Sequence, residues 1–440
     1  MDASKKGTYR AWAMYDWANS AYNLVITSTI FPAYYEAVTG DGNEDTVDRV
    51  TLFGHSFVNT ALYTYALAIA FAIVAILSPL LSGIADARGN KKTFLRAFSI
   101  MGSLACAGLF FFDATNLAYG LALTIIACVG FWASLVFYNS YLPDIAPPED
   151  QDKVSSMGFA YGYVGSIILQ LICFVFVLKN DAFGITVGKA SQISFALTGI
   201  WWLGFATYSL AKLPAGKAKA VVAGAKAKAA GGYGELRKVA RDLAGRPRMK
   251  RFLGSYFFYN MGVQTVMLAA TLYGKSELGI PTENLIVAIL IIQIIAVAGA
   301  WLIAKISDKV GNLPALMGLV VVWIAICVIA YKMPAKNPPA FYGLAVLVGF
   351  VMGGIQSLSR STWSKLMPQT PDTTSYFSFY DVTEKIAIVI GMFSFGFIQE
   401  VTGSQRNSVL ALTVFFALGL AGLFWAHRSP VERESFGESA

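Results

Sequence analysis

Residues 82–92 read Ser-Gly-Ile-Ala-Asp-Ala-Arg-Gly-Asn-Lys-Lys, and residues 304–314 read Ala-Lys-Ile-Ser-Asp-Lys-Val-Gly-Asn-Leu-Pro. Ile84, Ala85, Asp86, Gly89 and Asn90 fall on Ile306, Ser307, Asp308, Gly311 and Asn312 at a constant offset of 222 residues. Two further correspondences keep the same order. Leu142-Pro143 matches Met367-Pro368 at an offset of 225, and Tyr15, Asn19 and Asn23 match Tyr256, Asn260 and Gln264 at an offset of 241. The last, larger offset absorbs an insert between the halves. The chain therefore reads as one unit written twice.

Composition says what kind of unit. Of 440 residues, 56% are hydrophobic and only 14% charged, with a mean hydropathy of +0.57. A soluble domain carries about 25% charged residues, so a soluble enzyme, a disordered chain and a disulfide-knit module are all excluded. The apolar runs are continuous rather than alternating, which excludes a membrane barrel. They point to spans near residues 13–36, 57–82, 94–112, 117–141, 155–178 and 191–211, then 252–273, 284–305, 313–332, 340–364, 375–399 and 407–426. Twelve spans of about 20 residues use roughly 240 to 300 of the chain, leaving short loops, two tails and one insert. No cleavable signal is expected before the first span, which itself carries Asp16, Asn19 and Asn23.

Charge gives the orientation. Residues 212–251 hold twelve Lys or Arg against Glu235 and Asp242, whereas 41–49 carries Asp41, Glu44, Asp45 and Asp48 against Arg49. The excess of basic residues places this insert and both termini in the cytoplasm. Because the net charge of +8 gathers in such flanking segments, nucleic acid is not an expected partner. Within the insert, Leu236, Val239, Ala240 and Leu243 recur at helical spacing opposite Arg237, Lys238 and Arg241. A short helix lying on the anionic lipid leaflet fits this pattern, as does a plain basic tether.

Two six-helix halves related by an axis along the membrane normal resemble the plan of the major facilitator superfamily (MFS). The implied fold is all-α, with twelve transmembrane helices in two pseudo-symmetric six-helix bundles. The implied domains are an N-terminal bundle (1–211), a basic cytoplasmic linker (212–251), a C-terminal bundle (252–428) and a cytoplasmic tail (429–440). The 82–92 stretch is similar to that superfamily's acidic–basic glycine loop, with Ser82 in place of its first glycine and the base moved to Arg88. Asp86, Arg88 and Gly89, with Asp308, Lys309 and Gly311 in the second copy, are the expected gating loops. Glycine permits the tight turn, and an acid can hold a neighbouring helix N-terminus.

Ionisable groups inside spans are costly and are functional candidates by default. In the first span Asp16, Asn19, Ser20, Asn23 and Thr27 fall on one helical face, as do Tyr256, Asn260, Gln264 and Thr271 in the seventh and Tyr163, Ser166 and Gln170 in the fifth. The tenth span carries Gln356, Arg360 and Ser364, and the eleventh Asp381, Glu384 and Lys385. A substrate cavity is expected from Asp16, Asn19, Ser20, Asn23, Asn260, Gln264, Gln356 and Arg360. The charges Asp16, Arg360, Asp381, Glu384 and Lys385 admit three roles: salt bridges closing the inner mouth, capture of a substrate carboxylate by the Arg or Lys, or proton exchange at a buried acid. Cys106, Cys128, Cys173 and Cys327 sit singly in apolar runs, and the two histidines lie at opposite ends of the chain, so neither a metal nor a cofactor is expected.

The strings YDWANSAYN (15–23), FYNSYLPDIAP (137–147), SSMGFAYGYVG (155–165), FFYNMGVQT (257–265), GGIQSLSRS (353–361) and FSFYDVTEK (377–385) narrow the resemblance. They are similar to bacterial transporters related to the fungal vacuolar effluxer linked to autophagy. That resemblance implies secondary transport of a small polar solute, amino acids in the fungal members, in the plasma (inner) membrane by a monomer. It singles out Tyr15, Asp16, Asn19, Ser20, Asn260, Gln356, Ser359, Arg360, Ser361, Tyr380 and Lys385. Met261 stands where relatives often carry an acid, which weakens any coupling scheme that needs a carboxylate there. No Walker-type phosphate loop is present, so ATP is not the expected drive. Export of amphipathic or aromatic compounds is the other transport reading, and a membrane enzyme or sensor the other class. The latter lacks a nucleophile–base pair or an aspartate pair within a span.

Overall fold

The computed structural model describes residues 3–40, 48–215 and 231–430. Its helices are α1 (Ala3–Tyr22), α2 (Ile30–Thr39), α3 (Asn59–Arg88), α4 (Lys91–Gly108), α5 (Leu117–Asn139), α6 (Leu142–Ile145), α7 (Pro148–Leu178) and α8 (Val187–Lys212). Then come α9 (Gly231–Gly245), which lies within the insert, α10 (Pro247–Leu272), α11 (Thr282–Val310), α12 (Asn312–Lys332), α13 (Pro338–Leu366), α14 (Thr373–Thr402) and α15 (Gln405–His427). Between α2 and α3 runs one antiparallel hairpin, β1 (Arg49–Leu52) and β2 (His55–Val58). The all-α expectation misses it. Phe53 and Gly54 both have positive φ, the geometry of a two-residue hairpin turn, and the flanking Val50, Thr51, Phe57 and Val58 suit strands.

Among the described residues, nine helices are long and apolar enough to cross a membrane: α3, α4, α5, α7, α8, α11, α12, α13 and α15. The expected spans outside this set, at 13–36, 252–273 and 375–399, are helical too. They carry Asp16 and Asn19, Asn260 and Gln264, and Asp381, Glu384 and Lys385, and such residues lower hydropathy.

The first expected span is not one uniform helix. After α1 the chain widens into a π-helical turn over Asn23–Thr29 before α2 begins. There Ser28 and Thr29 donate their hydroxyls to the carbonyls five residues back, of Asn23 and Leu24. A second π turn, Tyr273–Glu277, ends α10. Such turns re-aim side chains and recur at functional sites.

The chain divides into two compact units. One comprises residues 1–81, 89–138 and 161–217, the other 82–88, 139–160 and 218–440. In the first, α8 packs against α1 and α4. Gly102 of α4 and Gly130 of α5 meet backbone to backbone, and a Cβ on Gly102 would strike the Trp202 ring. At one end of this unit Phe31, Tyr34, Tyr35, Phe112 and Phe195 form a ring cluster, tied by the Tyr34 hydroxyl to the Phe112 carbonyl at 2.6 Å.

In the second unit α11 and α13 make the closest packing. Gly349 and Gly353 of α13 lie against the backbone of Ile292 and Ala296, and Gly299 of α11 against that of Phe350. This is the small-residue spacing that lets two helix backbones touch. Trp323 of α12 stacks on Phe416 of α15 at 5.6 Å.

Candidate functional site

In the first unit the α1 stripe splits in two. Asp16 and Asn19 are buried, at 5% and 0% exposure, whereas Ser20, Asn23 and Thr27 stay partly exposed. Helical spacing places all five within one broad arc, and packing within the unit decides which edge is covered. Asp16 Oδ2 accepts the Tyr138 hydroxyl at 2.8 Å. The Tyr138 ring lies between Trp12 and Tyr15 with centroids 4.5 and 4.9 Å away, and the Trp12 indole N–H donates to the Tyr138 carbonyl. Tyr15 shares a 2.7 Å hydrogen bond with Ser99. Among the described residues neither amide atom of Asn19 has a hydrogen-bond partner, a costly arrangement for a buried amide unless water or a ligand completes it. In α7, Gln170 accepts the Thr29 hydroxyl at 2.9 Å.

Arg360 of α13 is 3% exposed. Its Nε donates to Ser155 Oγ at 3.0 Å, Nη2 to the Ser155 carbonyl at 2.8 Å and Nη1 to Asn139 Oδ1 at 3.1 Å. The guanidinium carbon lies 4.2 Å from the Phe159 ring centre. Ser155 in turn donates to the Ser357 carbonyl at 2.7 Å. Ser155 and Asn139 are neutral acceptors that hold the planar guanidinium in place.

Asp381, Glu384 and Lys385 do come together, as their spacing predicts. Lys385 Nζ is 2.7 Å from Asp381 and 3.2 Å from Glu384, and Gln264 of α10 donates to Glu384 at 2.9 Å. Two carboxylates thus stand around one ammonium, Asp381 and Lys385 buried and Glu384 partly exposed. Nearby, Tyr256 stacks on Tyr380 at 4.2 Å, and Tyr259 shares a 2.7 Å hydrogen bond with Ser359. Asn260 Nδ2 has no partner, matching its repeat-mate Asn19, and Gln356 reaches the Met267 sulfur at 3.4 Å.

The two copies of the repeated loop are built alike and used differently. Gly89 and Gly311 both have positive φ, at 64° and 88°, which few residues other than glycine adopt. In the first copy Asp86 accepts from the Thr374 N–H at 3.2 Å and from the Ser375 N–H at 2.7 Å, capping the first turn of α14. Arg88 is exposed. In the second copy Asp308 and Lys309 are exposed, against the expectation of a matching latch. Ser307 and Asn312 make the contacts instead, donating to Asp152 of α7 at 2.9 and 2.8 Å. Lys365 of α13 completes the cluster, 2.6 Å from Asp152, which is 2% exposed. The polarity is reversed: the acid sits on the helix and the donors on the loop.

Sequence reading passes over Asp152, Lys365, Tyr138, Asn139 and Ser155. Nothing in the acidic run Glu149-Asp150-Gln151-Asp152 marks its last member, but the strings around 137–147 and 155–165 bracket it. The expected helix in the insert forms as α9, yet Val239 is buried within the protein, so at this residue the apolar face turns to protein rather than lipid. Lys217, Lys219, Lys226 and Lys228 lie outside the described residues, as do Asp41, Glu44 and Asp45. Among the described residues no set of three His, Cys, Asp or Glu converges on a metal position.

The family model described as vacuole effluxer Atg22 like matches residues 4–434. The chain belongs to the vacuole effluxer Atg22-like family. Its relatives include the uncharacterized MFS-type transporter YxiO of Bacillus subtilis (strain 168), 29% identical over 93% of this chain and 92% of that one. Autophagy-related protein 22 of Eremothecium gossypii is 26% identical over 92% of this chain and 87% of its own. Among solved structures, the proton:xylose symporter XylE superposes with a TM-score of 0.72 at 14% identity, covering 96% and 95% of the two chains. The MFS transporter FucP in its outward conformation gives 0.70 at 15%, covering 97% and 100%. The Atg22-like chain is thus a multi-pass membrane protein with the MFS fold.

Proposed function

We propose that this Atg22-like protein is a secondary transporter that moves a small polar solute across the membrane by alternating access, without covalent chemistry. Family membership along residues 4–434 is the observation that carries transport, and the buried guanidinium of Arg360 is the proposed solute contact. An arginine fork pairs with a carboxylate in two parallel hydrogen bonds. An amino acid supplies that carboxylate, together with an ammonium of the kind that Asp381 and Glu384 already hold in Lys385. Asn260, Gln264 and Gln356, in the same unit as Arg360, are proposed further solute contacts, and in the other unit Asp16, Asn19, Ser20 and Asn23 are proposed for the same role.

In this reading α1 with α2, α10 and α14 cross the membrane beside the nine apolar helices, giving twelve spans in two six-helix bundles (1–211 and 252–428). The insert 212–251 and both tails lie in the cytoplasm, and the exposed Arg237 and Arg241 face anionic lipid headgroups. The protein sits in the plasma membrane as a monomer. Asp86 with α14, and Asp152 with Ser307, Asn312 and Lys365, act as paired cytoplasmic latches.

Thermal-shift screening of the purified protein against amino acids, followed by uptake of each stabilising compound into proteoliposomes, tests the assignment. At least one amino acid should raise the melting midpoint and be carried. Stabilisation and flux restricted to amphipathic or aromatic compounds would replace the substrate class, and hydrolysis of any tested compound would overturn transport.

A further inference from the structure

The first turn of α14, which Asp86 caps, is also held by α9 from the insert. Lys238 and Asp242 lie four residues apart on one side of α9, and Arg246 follows the helix at the same spacing. Lys238 Nζ lies 2.9 Å from Asp372, the buried residue that precedes α14. Asp242 accepts the hydroxyl of Tyr376, within the first turn of α14, and pairs with Arg246 at 2.7 Å. Val239, on the same side, is 2% exposed. At its other end α9 is joined to α10 through Arg246 alone.

We propose that α9 is a strap on α14: it fixes the first turn of α14 where Asp86 caps it, and it must release Asp372 and Tyr376 before that cap opens. A helix of this length is marginal by itself in water, so its order depends on what it grips. The grip is also of a releasable kind. The Lys238 side chain is 63% exposed while its partner is 5% exposed, and ion pairs reaching that far into water hold weakly. A weak contact on a helix already fixed by a stronger cap sets a threshold without freezing the cycle. The strap rests on the reading of the Asp86 contact as a latch.

Hydrogen exchange of the full-length protein in lipid nanodiscs, read on peptides covering 372–380, tests it. Lys238→Ala and Asp242→Asn should each speed exchange of the Thr374 and Ser375 amides roughly tenfold, while Lys238→Arg should leave it as in the parent. Exchange unchanged at 372–380, with faster exchange confined to α9 itself, would overturn the strap. Asp86→Asn in the same experiment separates the two claims. If it accelerates exchange at 372–380 and the α9 variants do not, only the strap fails. If it does not, the latch reading fails.

Discussion

Ser375 donates both its backbone N–H and its hydroxyl to one carboxylate oxygen of Asp86, each at 2.7 Å. With the Thr374 N–H on the other oxygen, the carboxylate meets the positive end of α14 through three donors. An acid at a helix N-terminus contributes about 0.3–1 kcal/mol through the dipole alone, and more when partly buried.

Asp86→Asn keeps an acceptor and removes the charge. The variant should fold, lose about 1 kcal/mol, and expose the cytoplasmic ends of the spans more often. Faster alkylation of a cysteine placed at Ser359 by a cytoplasmic reagent is the expected outcome. Equal labelling rates in variant and parent would reject a latch at Asp86.

Asp152→Ala strips Lys365, Ser307 and Asn312 of their shared acceptor. Hydrogen bonds to a charged group contribute about 1.5–3 kcal/mol, so the melting midpoint should fall by several degrees. Asp308→Ala, at an exposed position, should leave it in place. A larger loss from Asp308→Ala than from Asp152→Ala would contradict the reversed polarity of the second copy.

Gly353→Leu drives a side chain into the Ala296 backbone. Overpacking of this kind costs typically about 1–3 kcal/mol, and expression of folded protein should drop. Gly343→Ala on the same helix meets nothing within 4 Å and should change little. The two yields, measured by fluorescence-detected gel filtration, should differ in that direction.

The α9 contact should survive mild acid. Burial pushes the Asp242 carboxyl up, but the Tyr376 hydroxyl and the Arg246 guanidinium outweigh it and hold the group below its ordinary value. Its contribution is therefore complete above the usual carboxylate range, about 3.9, and fades only as pH falls through the depressed native value. Exchange protection of α9, corrected for intrinsic rates, should be the same at pH 8 and pH 5 (about one unit above that range). Protection lost between those two values would show that Asp242 does not titrate as its partners dictate.

The tandem repeat and the places of most helices were legible because both are written in long periods. Span 1 was less so: a period of 3.6 groups Asp16 with Asn23, but it carries no information on which edge is covered, nor on a π turn at Asn23. The triad Asp381, Glu384 and Lys385 was readable because it lies within two turns of one helix. Asp152 was not, because its partners Ser307, Asn312 and Lys365 are more than 150 residues away and its own neighbours are equally acidic. Likewise, the repeat could single out Asp86, while its choice of Ser375 is a tertiary fact. The second loop kept the glycine and the acid of the first, which hid that Ser307, aligned with Ala85, had taken over the contact.

Counterflow in proteoliposomes of the amino acid that best stabilises the protein, compared between the parent and Arg360→Ala, bears most directly on the transport account. Arg360→Ala also deprives Ser155 and Asn139 of their donor, at about 1–3 kcal/mol, so folded protein is first confirmed by gel filtration. The parent should accumulate label and the folded variant should not. Equal accumulation by both would contradict the role of Arg360 and the solute chemistry built upon it.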